Sequence, residues 1–235
     1  MHTYCINLEH RTDRRDNAWA EFDREGIDVE FFRATNGREE SPTGLYISQP
    51  EYGCAMSHVR VWRDMVEKGH EIALVTEDDI RLVPHFKQKL EDLLREAANL
   101  PWDMINIGPI CPVIKTPVSE NLYEGRTLST HSYLIRLECA RKLAVFDPKF
   151  YKVGVDFQLN LFPIRILCVY ESLSKQECLD DHIIIGFFKS LVKGDIGLQR
   201  TVDMPHHVRF GFQKFKTLII LLVLIIVWFL VRVRN

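Results

Sequence analysis

Residues 71–80 read EIALVTEDDI, an apolar run that stops in three consecutive acids, Glu77, Asp78 and Asp79. A short continuous run of Ile, Ala, Leu and Val is the pattern of a strand covered on both faces, as in the parallel sheets of α/β proteins. Open sheets of that class keep their ligand crevices outside the carboxyl ends of the strands. Three adjacent carboxylates repel one another unless solvent or a cation intervenes. Hard divalent ions such as Mg²⁺ and Mn²⁺ take oxygen ligands, commonly one or two carboxylates plus substrate phosphates and water. On position alone two readings stand: a metal–diphosphate site, and a solvated acidic turn ahead of Pro84.

The flanking segments extend the same pattern in both directions. HTYCINL (2–8) predicts a first strand, and the charged EHRTDRRDNAWAEFDREG (9–26) a helix in which Ala18, Trp19 and Phe22 recur at helical spacing and Gly26 closes the end. VEFFRAT (29–35) predicts a second strand, and residues 38–50 a loop. EYGCAMSHVRVWRDMVEKG (51–69) predicts an amphipathic helix with Ala55, Val59, Trp62 and Val66 on its buried stripe. After the acids, HFKQKLEDLLREAANL (85–100) reads as a helix and WDMINIG (102–108) as a strand. Residues 109–127 read as loop, HSYLIR (131–136) as a strand and ECARKLAVF (138–146) as a helix. Strands alternating with helices predict an α/β fold with a mostly parallel sheet covered on both faces.

With 235 residues the chain can bury a sizeable core in one domain. A net charge of −2, without a basic stripe, excludes nucleic acid as the expected partner. Cys5, Cys54, Cys111, Cys139, Cys168 and Cys178 show no CxxC or metal-ligand spacing and read as buried, reduced thiols. Arg11, Arg14 and Arg15 occupy the place where a secretory leader would need its apolar stretch.

The other end carries TLIILLVLIIVWFLV (217–231), uncharged, with Lys214 and Lys216 before it and Arg232 and Arg234 after. As a helix it would rise about 22 Å, against a bilayer core of roughly 30 Å, with basic side chains snorkelling at both ends. Phe210, Phe212 and Phe215 suit the interface. Because no face of the segment is polar, a single-pass tail anchor over residues 211–235 is expected rather than a core helix. A globular domain of residues 1–210 would then lie on the cytosolic side.

Six segments in order resemble glycosyltransferase family 25, which includes lipo-oligosaccharide galactosyltransferases and relatives of the collagen galactosyltransferases. INLEHRTDRR (6–15) resembles that family's amino-terminal signature, FFRATNG (31–37) its "F–A–G" segment, and GCAMSHVRVWRDM (53–65) its "GCxxSHxxxW" block. ALVTEDDIRL (73–82) resembles its "LEDD" strand, and WDMINIG and YLIRLECARKL (133–143) match later blocks.

The resemblance implies a GT-A-like nucleotide-binding fold followed here by the hydrophobic carboxyl-terminal helix. It also implies transfer of a hexose, galactose foremost, from a UDP-sugar to a glycan, glycolipid or glycoprotein acceptor. The expected reaction is inverting and dependent on Mn²⁺ or Mg²⁺, with a place in lipopolysaccharide biosynthesis among the family's roles. By this resemblance Glu77 and Asp79 are the metal ligands and Asp78 a donor ligand, although the residues alone do not decide which acid does which. Asn7, Arg11 and Arg14 are expected at the nucleotide, since guanidinium binds phosphate bidentately and stacks on bases. Ser57 and His58 are expected near the start of a helix whose amino end faces phosphates.

An inverting transfer also needs a carboxylate base. KVGVDFQL (152–159) resembles the family's "PVDxxL" block and nominates Asp156, for which a helix N-cap is the competing reading. Phe157 stands where the family carries a second acid. YESLSKQECLDDH (170–182) resembles the family's last block without its prolines, leaving Gln176 and Asp181 as weaker candidates. Two alternatives from other classes are a non-catalytic, membrane-tethered module that binds sugar nucleotide or glycan, and a phosphohydrolase using the same acids.

Overall fold

Chain order runs β1 (His2–Asn7), α1 (Thr12–Arg24), β2 (Glu30–Arg33), α2 (Gly37–Glu40), α3 (Gln49–Lys68), β3 (Ile72–Glu77), β4 (Ile80–Leu82) and α4 (Phe86–Glu96). It continues through β5 (Met104–Asn106), β6 (Val113–Pro117), β7 (Leu122–Arg126), β8 (Ser132–Arg136), α5 (Leu137–Ala144), a 3-10 turn at Pro148–Phe150, α6 (Val155–Leu159), β9 (Ile166–Val169) and β10 (Ser174–Gln176). This computed structural model describes residues 1–110 and 112–177. Among these residues no helix is long and apolar enough to cross a membrane. The segment 217–231, Cys111, Cys178 and Asp181 lie outside the described residues.

Eight strands form one sheet in the order β2-β1-β3-β8-β5-β9-β7-β6, and β4 pairs with β10 in a separate ribbon. β1 is parallel to both β2 and β3, and β5 is parallel to β9; β8 runs antiparallel to β3 and β5, and β7 antiparallel to β9 and β6. In direction, therefore, β1, β2, β3, β5, β6 and β9 agree and only β7 and β8 oppose them. The mostly parallel α/β sheet expected from the pattern is present, with two reversed strands that the pattern did not separate.

Both faces of the sheet are covered because alternate strand residues feed two apolar layers. Tyr4, Ile6, Ala73, Val75, Tyr133 and Ile135 pack on the side of Val59, Trp62 and Met65 from α3 and Cys139, Ala140 and Leu143 from α5. Cys5, Leu74, Ile105 and Leu134 face the other way, onto Ala18 and Phe22 of α1 and Phe86, Leu90 and Leu93 of α4. Each fully buried side chain of this size contributes roughly 1.5–3 kcal/mol, so the two layers fix the β1–β3–β8 register firmly.

Local signals set the helix ends. Ser48 and Glu51 form a capping box at the start of α3, Pro50 lies in its first turn, and Gly69 leaves it with φ +67°. Gly26 follows α1 with φ +63°.

Four expectations need correction, the first being the loop over 38–50, which opens with α2 at Gly37–Glu40. Trp19 is 54% exposed, since α1 buries only a narrow stripe. The strand expected over 71–80 stops at Glu77; Asp78 and Asp79 form a turn, and Ile80 opens β4, which pairs with β10. The loop expected over 109–127 contains the β6–β7 hairpin, whose mixed polar sequence hides its strand period.

The turn after β3 is clamped on several sides. The Glu177 amide donates to the Asp79 carbonyl at 2.7 Å, and the Val83 amide to the Leu173 carbonyl at 3.1 Å. Glu21 of α1 accepts from the Leu82 amide at 2.8 Å and from Arg81 and Arg24 at 3.1 Å each. Burial alone would raise the Glu21 carboxyl, but these donors hold it below its ordinary value.

Candidate functional site

The carboxyl ends of β1, β2 and β3 open onto a cleft of about 740 Å³ lined by Arg11, Arg14, Arg38, Gly53, Cys54, Ser57, His58, Glu77 and Asp78, among others. A second cleft of about 290 Å³ is lined by Glu51, Cys54, Glu77, Thr130, His131, Asp156 and Gln176, among others. Cys54 and Glu77 line both. This is the crevice position that a strand-end acid cluster predicts.

The three acids divide the work. Asp78 is buried and accepts from Asn7 Nδ2 at 2.7 Å and from Arg14 Nη1 at 3.1 Å. Asp79 is 6% exposed. Its Oδ2 accepts from Gln176 Nε2 at 3.1 Å and lies 3.4 Å from Arg14 Nη1, whereas Oδ1 is buried with no hydrogen-bond partner. Burial, then the charge of Glu77, pushes the Asp79 carboxyl up to about 6, with Asp78 adding to the rise and Gln176 and Arg14 opposing it. An orphaned carboxylate oxygen among like charges is the donor that a hard cation would satisfy.

Glu77 is held differently. Its Oε1 accepts from Thr130 Oγ1 at 3.1 Å and lies 3.5 Å from His58 Nε2, while its amide donates to the His131 carbonyl at 2.9 Å. Burial would raise this carboxyl, but His58, His131 and Thr130 together hold it below its ordinary value. Glu77 therefore ionises more readily than Asp79. Adjacent acids with opposite tendencies are a mark of functional sites.

The other expected residues fall as follows. Asn7, besides Asp78, donates to the Arg11 carbonyl at 3.1 Å and so ties the β1 end to the acid turn. Arg14 bridges Asp78 and Asp79, and Arg11, at the cleft wall, pairs with Asp13 at 2.7 Å. Ser57 and His58 lie in the middle of α3 rather than near its start; the helix begins eight and nine residues earlier, at Gln49. Ser57 Oγ donates to the Gly53 carbonyl at 2.7 Å and accepts from the Thr35 amide at 2.8 Å, so it joins α3 to the β2 end.

Asp156 sits inside α6, one residue past its first, with Gly154 as N-cap; Oδ1 accepts from the amide of Phe157 at 2.9 Å. It is not the N-cap. Burial, opposed by that amide and helped by Glu77, raises its carboxyl. Asp156 and Gln176 share the second cleft with Glu77, and Phe157 is 43% exposed.

Several participants were not singled out from the sequence. His131 is buried, lines the second cleft, and has neither ring nitrogen in a hydrogen bond; burial lowers its pKa while Glu77 opposes the shift. Tyr133 receives the Trp62 indole N–H at 2.9 Å and lies 2.9 Å from His58 Nδ1. Thr130 and Cys54 reach the acids only through the fold.

Residues 1–107 match the family model described as glycosyltransferase family 25 (LPS biosynthesis protein). A "Glycosyltransferase 25 family member" of Aedes aegypti is 34% identical over 185 residues, covering 66% of this chain and 30% of the relative. "Procollagen galactosyltransferase 2" of Mus musculus is 33% identical over 179 residues, covering 65% of this chain and 29% of the relative. The chain thus spans under a third of the length of these relatives. Among solved structures, a glycosyltransferase involved in the glycosylation of the major capsid of PBCV-1 superposes with a TM-score of 0.47 at 10% identity, over 80% of this chain and 98% of that one.

Proposed function

We propose that this relative of glycosyltransferase family 25 is itself a glycosyltransferase, moving a hexose from a UDP-sugar to a glycan-bearing acceptor with a divalent cation at the acidic turn. The observation that carries the reading is the acidic turn at the end of β3, whose Glu77 and Asp78 line a cleft with three arginines in its wall. The likeness to a procollagen galactosyltransferase favours galactose as the sugar. A GT-A-like arrangement of the nucleotide at the β1–β3 ends accords with the sheet order.

In this reading the larger cleft takes the nucleoside diphosphate. Arg11 and Arg38 face phosphate or base from the wall, and Arg14 keeps Asp78 and Asp79 in register. Asp79, through its orphaned oxygen, and the ionised Glu77 are the residues that would hold Mn²⁺ or Mg²⁺. A cation there supplies Lewis-acid neutralisation of the diphosphate leaving group. The acceptor enters from the second cleft, where Asp156 removes its hydroxyl proton; a carboxyl raised by burial is a better base for that step. Inversion at the sugar carbon follows from a base and a leaving group on opposite sides.

The uncharged stretch 217–231 belongs to the same proposal: as a tail anchor behind a transferase domain of residues 1–210 it would hold the site near lipid-linked acceptors, with the domain on the cytosolic side. Calorimetry with UDP and Mn²⁺, set beside a turnover assay on the same preparation, tests the reading. Binding with turnover supports it. Binding without turnover would favour the non-catalytic module, and no UDP binding would remove the donor site.

A further inference from the structure

Cys54 Sγ, a ring nitrogen of His58 and a carboxylate oxygen of Glu77 lie within 4.8 Å of one another, and among the described residues they are the trio so arranged. Asp78 and Asp79 are not part of it. We propose that Cys54, His58 and Glu77 form a second, softer cation site, which takes Zn²⁺ or a similar thiophilic divalent ion through thiolate, imidazole and carboxylate. It shares Glu77 with the hard-cation site but not Asp79, and it does not depend on the transferase reading.

Three observations carry the proposal. Cys54 and His58 stand four apart on α3 and therefore on one face of the helix, while Glu77 arrives from the end of β3. His58 is fully buried, and its Nε2, 3.5 Å from Glu77 Oε1, has no hydrogen bond of good geometry. Its other nitrogen lies 2.9 Å from the Tyr133 hydroxyl, the outer contact that fixes ring orientation in metal-ligating histidines. Once an ion takes the place of the proton that His58 Nε2 shares with Glu77, the ring proton stands on Nδ1, the Tyr133 oxygen accepts from both His58 and Trp62, and the Nε2 lone pair faces the ion.

The donor set decides the ion class. Sulfur, nitrogen and one carboxylate oxygen are a zinc-type set, whereas Mg²⁺ demands oxygen ligands. Because Cys54 and Glu77 line both clefts, the ion has an entry path and an open fourth position. Binding replaces the thiol proton of Cys54. It also withdraws Glu77 from any other partner, so Zn²⁺ is expected to oppose whatever chemistry the acidic turn supports.

The test loads the full chain anaerobically with Co²⁺ as a spectroscopic stand-in for zinc. The expected result is a saturable thiolate-to-cobalt charge-transfer absorption in the near ultraviolet that Zn²⁺ removes and Mg²⁺ does not. Cys54→Ser is expected to abolish the band, and Cys168→Ser, at a buried thiol elsewhere in the sheet, to leave it. Tyr133→Phe, which removes the outer contact and the acceptor of the Trp62 indole but no ligand, is expected to keep the band with affinity weaker by roughly 10- to 100-fold. Circular dichroism establishes that each variant is folded. Should Cys54→Ser fail to fold, Glu77→Gln takes its place, with the band retained and affinity reduced at least roughly tenfold, by the same measure. Absence of a thiolate band in the wild-type chain, its persistence in folded Cys54→Ser, or unchanged affinity in Glu77→Gln overturns the proposal.

Discussion

His58 Nε2 lies 3.5 Å from Glu77 Oε1 while Nδ1 of the same ring lies 2.9 Å from the Tyr133 hydroxyl. Trp62, one helical turn further along α3, donates its indole N–H to that hydroxyl at 2.9 Å. Two residues of the GCAMSHVRVW block therefore meet on one tyrosine of β8, and through it the block orients a group beside the acidic turn. Tyr133→Phe leaves a buried indole N–H and an imidazole nitrogen without their oxygen. It is expected to lower stability by about 1–3 kcal/mol, the usual cost of an unsatisfied buried polar group. Chemical denaturation reads this directly, and an unchanged midpoint would show that the tyrosine does not hold the pair.

Gly53 and Gly37 cross at backbone contact. A Cβ on Gly53 would stand 2.6 Å from the Gly37 nitrogen and 2.8 Å from the Thr35 carbonyl oxygen; one on Gly37 would stand 1.8 Å from the Gln49 carbonyl oxygen. Backbone on both sides cannot yield as a flexible side chain would. Gly53→Ala is expected to push α3 away from the β2 end, costing on the order of 1–3 kcal/mol as overpacking does, and to weaken UDP binding at the cleft both glycines line. Wild-type UDP affinity and stability in that variant would contradict the close approach.

Asp79 gives a pH signature with a definite sign. Its folded-state pKa, about 6, lies above its ordinary value of 3.8, so the native state holds the proton more tightly than the unfolded chain. Stability from this group is therefore full below pH 3.8 and is lost as pH rises toward 6. Asp79→Asn does not titrate. In metal-free buffer it is expected to match the wild type near the low end of that window and to exceed it above the high end, by up to ~3 kcal/mol at ~1.4 kcal/mol per unit. Thermal unfolding from pH 4 to 8 in roughly half-unit steps measures it. A wild-type advantage at neutral pH would mean that the carboxylate is not strained as described.

Glu21 behaves with the opposite sign. Its carboxyl is held below its ordinary value of 4.5, so the stability it lends is present above that pH and lost as pH falls through the folded value. Glu21→Gln weakens the charge-assisted bonds to the Leu82 amide, Arg81 and Arg24. An expected loss of about 1–3 kcal/mol at pH 7 that narrows in acid would support its role as the clamp on β4. A pH-independent loss would not.

Much of the fold was legible because period and punctuation agreed. Ile72–Glu77 is apolar on both faces and could only be an inner strand, and Ser48, Pro50 and Gly69 mark the ends of α3 chemically. The β6–β7 hairpin was hidden because VIKTP and LYEGR lack a clean alternation and take their order from pairing. At the site, the acids and Asn7 were legible from their place after strands. His131, Thr130 and Tyr133 were not, because the segment entering β8 comes beside Glu77 and His58 only when β8 inserts antiparallel beside β3. Cys54 escaped for a related reason: its partner His58 is close in sequence, but Glu77 completes the trio only across the β3 end.

The most direct measurement of the central claim is nucleotide release from a panel of sugar nucleotides, with and without Mn²⁺, by the wild-type chain and Asp79→Asn. UDP release from a UDP-hexose, UDP-galactose foremost, is expected to require the cation and to disappear in folded Asp79→Asn. No release from any sugar nucleotide in the presence of Mn²⁺, or undiminished release by Asp79→Asn, would contradict it.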